Sequence, residues 1–122
     1  MAFYVIYIEE AHPTDLWQMQ SNVRAGVLFR SPKSDEERNE TATACVRKLG
    51  IRISAVRDGI ANRVERDYTG WPDRLYLIGR DGRVIFKSAP GPFGFEPAGL
   101  RSAIERTVST NVSNAQPPAN ER

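Results

Sequence analysis

The sequence predicts an α/β domain in which a mixed sheet is flanked by helices. Three observations carry this: an unbroken β-branched and aromatic run from Phe3 to Ile8, a helix-opening signature at Ser34, and a hairpin signal at Asp81-Gly82 followed by a helix from Pro97. With 122 residues there is room for one domain, not two. The charges nearly cancel, 17 Lys+Arg against 15 Asp+Glu, for a net charge of +2. That balance provides no basic surface of the kind nucleic acid demands. One cysteine cannot form an internal disulfide or a cysteine-cluster zinc site, and no segment reads as a signal peptide, so a cytoplasmic location is expected. The longest apolar run, Phe3 to Ile8, is far short of the roughly 20 residues that cross a bilayer.

The elements follow in order. Phe3-Tyr4-Val5-Ile6-Tyr7-Ile8 reads as a strand buried on both faces of a largely parallel sheet. A polar loop is expected from Glu9 to about Lys33. Ser34-Asp35-Glu36-Glu37 has the S-x-x-E capping box, with acids over the helix N-terminus. Its helix should run to Leu49 on a stripe of Ala42, Cys45, Val46 and Leu49, with Gly50 as the stop. Ile51 to Val56 alternates with period 2, as a half-exposed edge strand does. Asp58 can cap a second helix with Ile60, Ala61, Val64 and Tyr68 on one face, ended by Trp71-Pro72. Arg74 to Ile78 and Val84 to Lys87 flank Asp81-Gly82 as an antiparallel hairpin. Pro97 suits the first turn of a last helix with the stripe Leu100, Ala103, Ile104 and Thr107. The domain is therefore expected over residues 1–108, and 109–122 reads as a disordered tail of Ser, Asn, Gln, Pro and charge.

This order of elements corresponds to the carboxyl part of a thioredoxin-like fold, with the N-terminal β-α unit missing. In that fold the absent strand lies between Phe3–Ile8 and Arg74–Ile78 and is followed by the active nucleophile. Two strands deprived of a central neighbour expose backbone edges, so self-association, at its simplest a homodimer, is expected.

Chemistry concentrates in Tyr7 to Asp15, at the carboxyl end of the first strand, where open α/β sheets bind ligands. His12, the only histidine, could shuttle protons with Glu10 polarising it and Tyr7 donating a hydrogen bond. The alternative is a solvated loop with Asp15 capping a short helical turn. A metal site of Glu9, Glu10, His12 and Asp15 lacks a second imidazole, and none is expected. Cys45 reads as a packing residue whose burial keeps it a thiol. Trp71-Pro72 stands where a thioredoxin-like fold places a cis-proline, an isomer that sequence alone leaves open. Gly91-Pro92-Phe93-Gly94-Phe95 either walls an apolar pocket or forms a tight turn with its aromatics on the core. Pro72 and Phe93 are thus the candidate substrate-binding residues.

Three motifs in order, Y-I-E-E-A-H-P-T-D at Tyr7 to Asp15, P-D-R-L-Y-L-I at Pro72 to Ile78 and G-P-F-G-F at Gly91 to Phe95, give a chain that resembles the iodothyronine deiodinases and their bacterial relatives from Phe3 to about Thr107. The resemblance implies a peroxiredoxin-related oxidoreductase in which a selenocysteine or cysteine removes iodine from an aromatic ring and a thiol reductant regenerates it, without a further cofactor. It implies that Glu10 and His12 are a proton-relay pair and that Tyr7 lines the same site. Small-molecule partners follow: an aromatic halide or peroxide, and the thiol. The chain departs from the family pattern at Leu16, where a glycine is usual, and at Pro32 and Pro90, where a histidine and an arginine hold the hormone in the vertebrate inner-ring enzyme. Neither proline side chain can donate a hydrogen bond, which argues against thyroid hormone as the physiological substrate. The alternative reading is a truncated, non-catalytic fragment or binding module that lacks the nucleophile.

Overall fold

The computed structural model describes residues 1–26 and 28–114 and divides into two compact units, residues 1–72 and 73–122. The first unit holds β1 (Tyr4–Tyr7), α1 (Gln20–Ala25), α2 (Asp35–Lys48), β2 (Ser54–Arg57) and α3 (Arg63–Tyr68). The second holds β3 (Tyr76–Ile78), β4 (Val84–Lys87) and α4 (Pro97–Asn114). Each unit carries one pair of strands, parallel β1–β2 and antiparallel β3–β4. The mixed α/β class read from the sequence therefore holds, and it agrees with a thioredoxin-like fold.

In the first unit the helix ends are set by local chemistry. Ser34 caps α2 by accepting from the Glu37 N–H, while the Glu37 carboxylate reaches back to the Lys33 N–H at 2.7 Å. At the other end Gly50 adopts φ +62°, its N–H bonds the Arg47 carbonyl, and Ile51 bonds Val46, a Schellman closure that needs the left-handed residue. That closure consumes Ile51, so the strand expected from Ile51 begins only at Ser54. Asp58 caps α3 as expected, although the helix starts at Arg63: its carboxylate oxygens accept from Val64 and Glu65 at 3.1 and 2.9 Å. The same residue's N–H bonds the Tyr7 carbonyl at 2.7 Å, so the cap is tied to the end of β1.

Several expectations are corrected. The first strand is not buried on both faces: Phe3, Tyr4 and Ile6 are exposed. A strand paired on one side only, with β2, leaves an edge and a face to solvent. The loop expected from Glu9 to Lys33 contains α1, six residues closed by Gly26 at φ +65° and without a buried side chain, hence without an apolar stripe to announce it. On α2, Ala42 is buried but Leu49 is exposed, and the most buried side chain of that helix is Arg38, at 2%. Of the stripe expected on the second helix, Ile60 and Ala61 precede α3, and Ala61 and Tyr68 are exposed instead of facing a core.

In the second unit, β3 and β4 join through the Asp81-Gly82 turn as expected, with Gly82 at φ +79° and Gly79 N–H bonding the Arg83 carbonyl. A register shift at Leu77/Ile78 marks a bulge. Ser88 extends the pairing by exchanging bonds with Leu75 through its backbone N–H and its hydroxyl. Helix α4 lies against both strands, with Ala103 buried and Leu100, Ile104 and Thr107 half-buried along the expected stripe. It continues to Asn114, into the segment read as the start of a tail; residues 115–122 of that segment lie outside the described residues.

Among the described residues the buried apolar side chains are few, Ala42, Leu77 and Ala103, whereas Arg38 and Asp58 are 2% exposed. The polar cap should therefore matter for stability. Asp58→Ala leaves two N–H groups of the first turn of α3 without their acceptor and should cost about 1–2 kcal/mol in urea denaturation. Asp58→Asn, which keeps one carbonyl acceptor, should cost less.

Candidate functional site

The carboxyl end of β1 and the loop after it line a cleft of about 390 Å³. Tyr7, Glu10 and His12 all border it, with Cys45 from α2 and Pro72 completing the wall. The strand ends where Tyr7 bonds Asp58, and the chain then turns through Glu9 to Pro13 around the cleft. The Trp71–Pro72 peptide is cis, the isomer the sequence left open, and so is Gly91–Pro92.

Glu10 is held by a buried charge. Its Oε2 lies 3.5 Å from Arg38 Nη2, the side chain of Glu10 being 9% exposed and that of Arg38 3%. The Arg38 guanidinium also donates to the Gly59 carbonyl at 2.7 Å and to Asn62 Oδ1 at 2.5 Å. The other carboxylate oxygen of Glu10, Oε1, is buried without a hydrogen-bond partner, as is Nδ1 of His12. The His12 ring meets Trp17 edge to face at 4.6 Å between centroids, and its carbonyl accepts from Gln18 Nε2 at 2.7 Å.

Tyr7 and Cys45 are neighbours of that carboxylate. Burial, and then the negative charge of Glu10, push the Tyr7 phenol well above the ordinary tyrosine range. Burial likewise raises the Cys45 thiol and Glu10 adds to it, against a hydrogen bond from Tyr7 and the charge of Lys48. The cleft thus keeps both acids protonated: the phenol is a proton donor and the sulfur is a thiol.

The site residues read from the sequence divide accordingly. Tyr7, Glu10, His12 and Pro72 border one cleft. Phe93 belongs to the second unit, where its side chain is fully exposed, and Phe95 is half exposed, so neither packs as a core aromatic. Asp15 does not cap a helical turn; its carboxylate accepts from the N–H and hydroxyl of Ser31 at 2.7 and 3.1 Å. Among the described residues no group of His, Cys, Asp and Glu is arranged to hold a metal ion. No helix among them is long and apolar enough to cross a membrane. Two features of the site escaped the sequence reading. Cys45 borders the cleft in addition to packing, and Arg38, which does not line the cleft but pairs with Glu10, was missed altogether, although it stands four residues before Ala42 and seven before Cys45, on the same helical stripe. A charge on a buried stripe is the signal that could have found it.

An α/β chain with a tyrosine at the end of a parallel strand and a carboxylate and an imidazole on the loop after it agrees with the thioredoxin-like class. Within that class the family model for iodothyronine deiodinase matches residues 1–108, and this chain belongs to the iodothyronine deiodinase family. It is 29% identical over 104 residues to the type I iodothyronine deiodinase of Xenopus laevis, covering 85% of this chain and 39% of that protein. To the thyroxine 5-deiodinase of Sus scrofa it is 32% identical over 105 residues, covering 85% of this chain and 32% of that protein. The corresponding enzyme of Sparus aurata is 33% identical over 107 residues, with 85% and 37% covered. The chain therefore spans between a third and two fifths of the length of these relatives.

The protonated state of Tyr7 and Cys45 has a pH signature. A pKa raised by folding favours the neutral form, so each contribution is complete below the unfolded value, about 8.5 for a thiol and about 10 for a phenol, and is lost as pH rises above it. Urea stability should accordingly fall above about pH 8.5 and fall less in the Cys45→Ser, Tyr7→Phe double variant. At pH 7 without denaturant, Cys45 should react with a maleimide well below the rate of a free thiol; equal rates would contradict its burial.

Proposed function

We propose that this chain serves a deiodinase-type oxidoreductase, with the Tyr7–Glu10–His12 cleft as its proton-handling half. The substrate is a small halogenated aromatic, and a thiol is the reductant. A thiolate or selenolate forms a bond to iodine as the carbon–iodine bond breaks, and the carbon keeps the electron pair. His12 delivers the proton to that carbon, Glu10 biases the imidazole, and Tyr7 supplies a fixed hydrogen-bond donor. The reductant's thiol then attacks the sulfur or selenium, forming a mixed disulfide or selenenyl sulfide and releasing iodide.

The observation that carries this reading is that the three residues border one cleft. Membership of the deiodinase family supports it. Cys45 is not the nucleophile in this proposal, because burial and the Glu10 charge disfavour its thiolate. That same observation favours a second reading, a binding module without turnover, since Cys45 is the only cysteine. An aryl hydroperoxide is the alternative substrate, reduced at oxygen by the same nucleophile with His12 protonating the leaving oxygen.

The test combines binding with turnover. Titration of the chain with 3,5-diiodotyrosine should quench Trp17, whose ring meets that of His12, with saturation. With a nucleophile in place and dithiothreitol as reductant, His12→Ala should lower iodide release by roughly 10² to 10⁴ without loss of secondary structure. Glu10→Gln should reduce it less and alter its pH profile. Unchanged release in His12→Ala would overturn the proton-relay reading, and saturable binding without any release, nucleophile present, would favour the binding module.

A further inference from the structure

Arg38 belongs to no motif of the sequence reading, yet it is among the most buried residues described. A guanidinium withdrawn from water is strongly destabilising unless its charge is compensated and its donors are used. Here the ion-pair partner is Oε2 of Glu10, at 3.5 Å, and the Asp35 carboxylate also feels the Arg38 charge. The remaining contacts, to the Gly59 carbonyl and to Asn62 Oδ1, tie the guanidinium to the loop between β2 and α3. Arg38 is thereby anchored independently of the cleft. The Oε1 atom of Glu10 stands buried at the cleft wall, next to Tyr7. A carboxylate gripped by one oxygen with the other left open is arranged to accept a proton or a hydrogen bond from a ligand or a neighbouring side chain.

We infer that Arg38 is a positioning residue of this site, fixing the Glu10 carboxylate by Oε2 so that Oε1 faces the acids and the imidazole of the cleft. The inference rests on the reading of Glu10 as part of the proton relay. It assigns the charge partner of that relay to a residue on α2, directly after the capping box.

Cys45 supplies a readout in the chain itself, because its ionisation senses the Glu10 charge; the other groups facing it are Tyr7 and Lys48. The pH–rate profile of Cys45 alkylation by iodoacetamide gives a midpoint for the thiol. Glu10→Gln should move that midpoint down by roughly half a pH unit or more, since a negative neighbour is removed. If Arg38 fixes Glu10, Arg38→Met frees the carboxylate to leave and moves the midpoint down similarly. Combined with Glu10→Gln it should then add nothing. Were Glu10 held in place by anything else, Arg38→Met would strip a cation from a fixed anion, and the midpoint would stay or rise. Either result overturns the inference, as does full additivity in the double variant.

Asn62→Gly removes a different partner of the guanidinium, at a left-handed residue that glycine suits, and should leave the midpoint at the wild-type value. A shift there equal to that of Arg38→Met would mean general loosening and would overturn the assignment. Should Arg38→Met fail to fold by circular dichroism, Glu10→Asp breaks the same contact from the other side; a downward shift supports the inference and an unchanged midpoint overturns it. The two readings fail separately. A failed proton relay shows as unchanged iodide release in His12→Ala, whereas a failed Arg38 assignment shows in the thiol midpoint.

Discussion

The first unit depends on the buried guanidinium of Arg38. Its partners come from two segments distant in sequence, the loop after β1 and the loop between β2 and α3, and it brings both against α2. Few apolar side chains are buried in the described residues, so this hydrogen-bonded ion pair does work that a hydrophobic cluster does in larger cores. The arrangement is also exacting. A buried charge stabilises only while its partners remain, so loss of any one partner is felt by the rest. Asp58 plays the complementary part: its N–H holds the end of β1 and its carboxylate holds the start of α3.

The same electrostatics shape the cleft. Glu10 brings a negative charge to a partly buried corner, and the two weak acids nearest to it, Tyr7 and Cys45, respond by retaining their protons. A carboxylate and a retained phenol are suited to moving a proton, and a retained thiol is poorly suited to nucleophilic attack. One corner cannot serve both kinds of group, since a nucleophile needs its charged form stabilised and an acid needs its proton kept. The match to the iodothyronine deiodinase family takes in this loop, from Tyr7 to Asp15.

Much of the fold was legible because its signals are local. The Ser34 capping box, the Gly50 stop, the Asp58 cap, the Asp81-Gly82 turn and the Pro97 start each act over a few residues through backbone groups that must find partners. The β1 run was correctly read as a strand but wrongly read as buried, because apolar residues report what a strand could cover and not what covers it. Helix α1 gave no signal, having Val23 as its one large apolar residue, itself exposed, and no buried face. Within the site, Tyr7, Glu10 and His12 were visible as a motif on one loop. Cys45 was seen only as core, because a helical stripe does not distinguish a cleft wall from a packed interior.

The sequence by itself determined the element types and their order apart from α1, most of the capping residues and the family motif, since each of these follows from backbone hydrogen bonding or from residue types at short spacing. Only the tertiary structure decided which charges are buried together. The Arg38–Glu10 pair joins residues 28 positions apart, and the protonated states of Tyr7 and Cys45 follow from burial first and then from the nearby Glu10 charge. The reason is physical: burial and Coulomb interaction depend on distance and solvent exposure in three dimensions, and neither quantity is written in the spacing of residues along the chain.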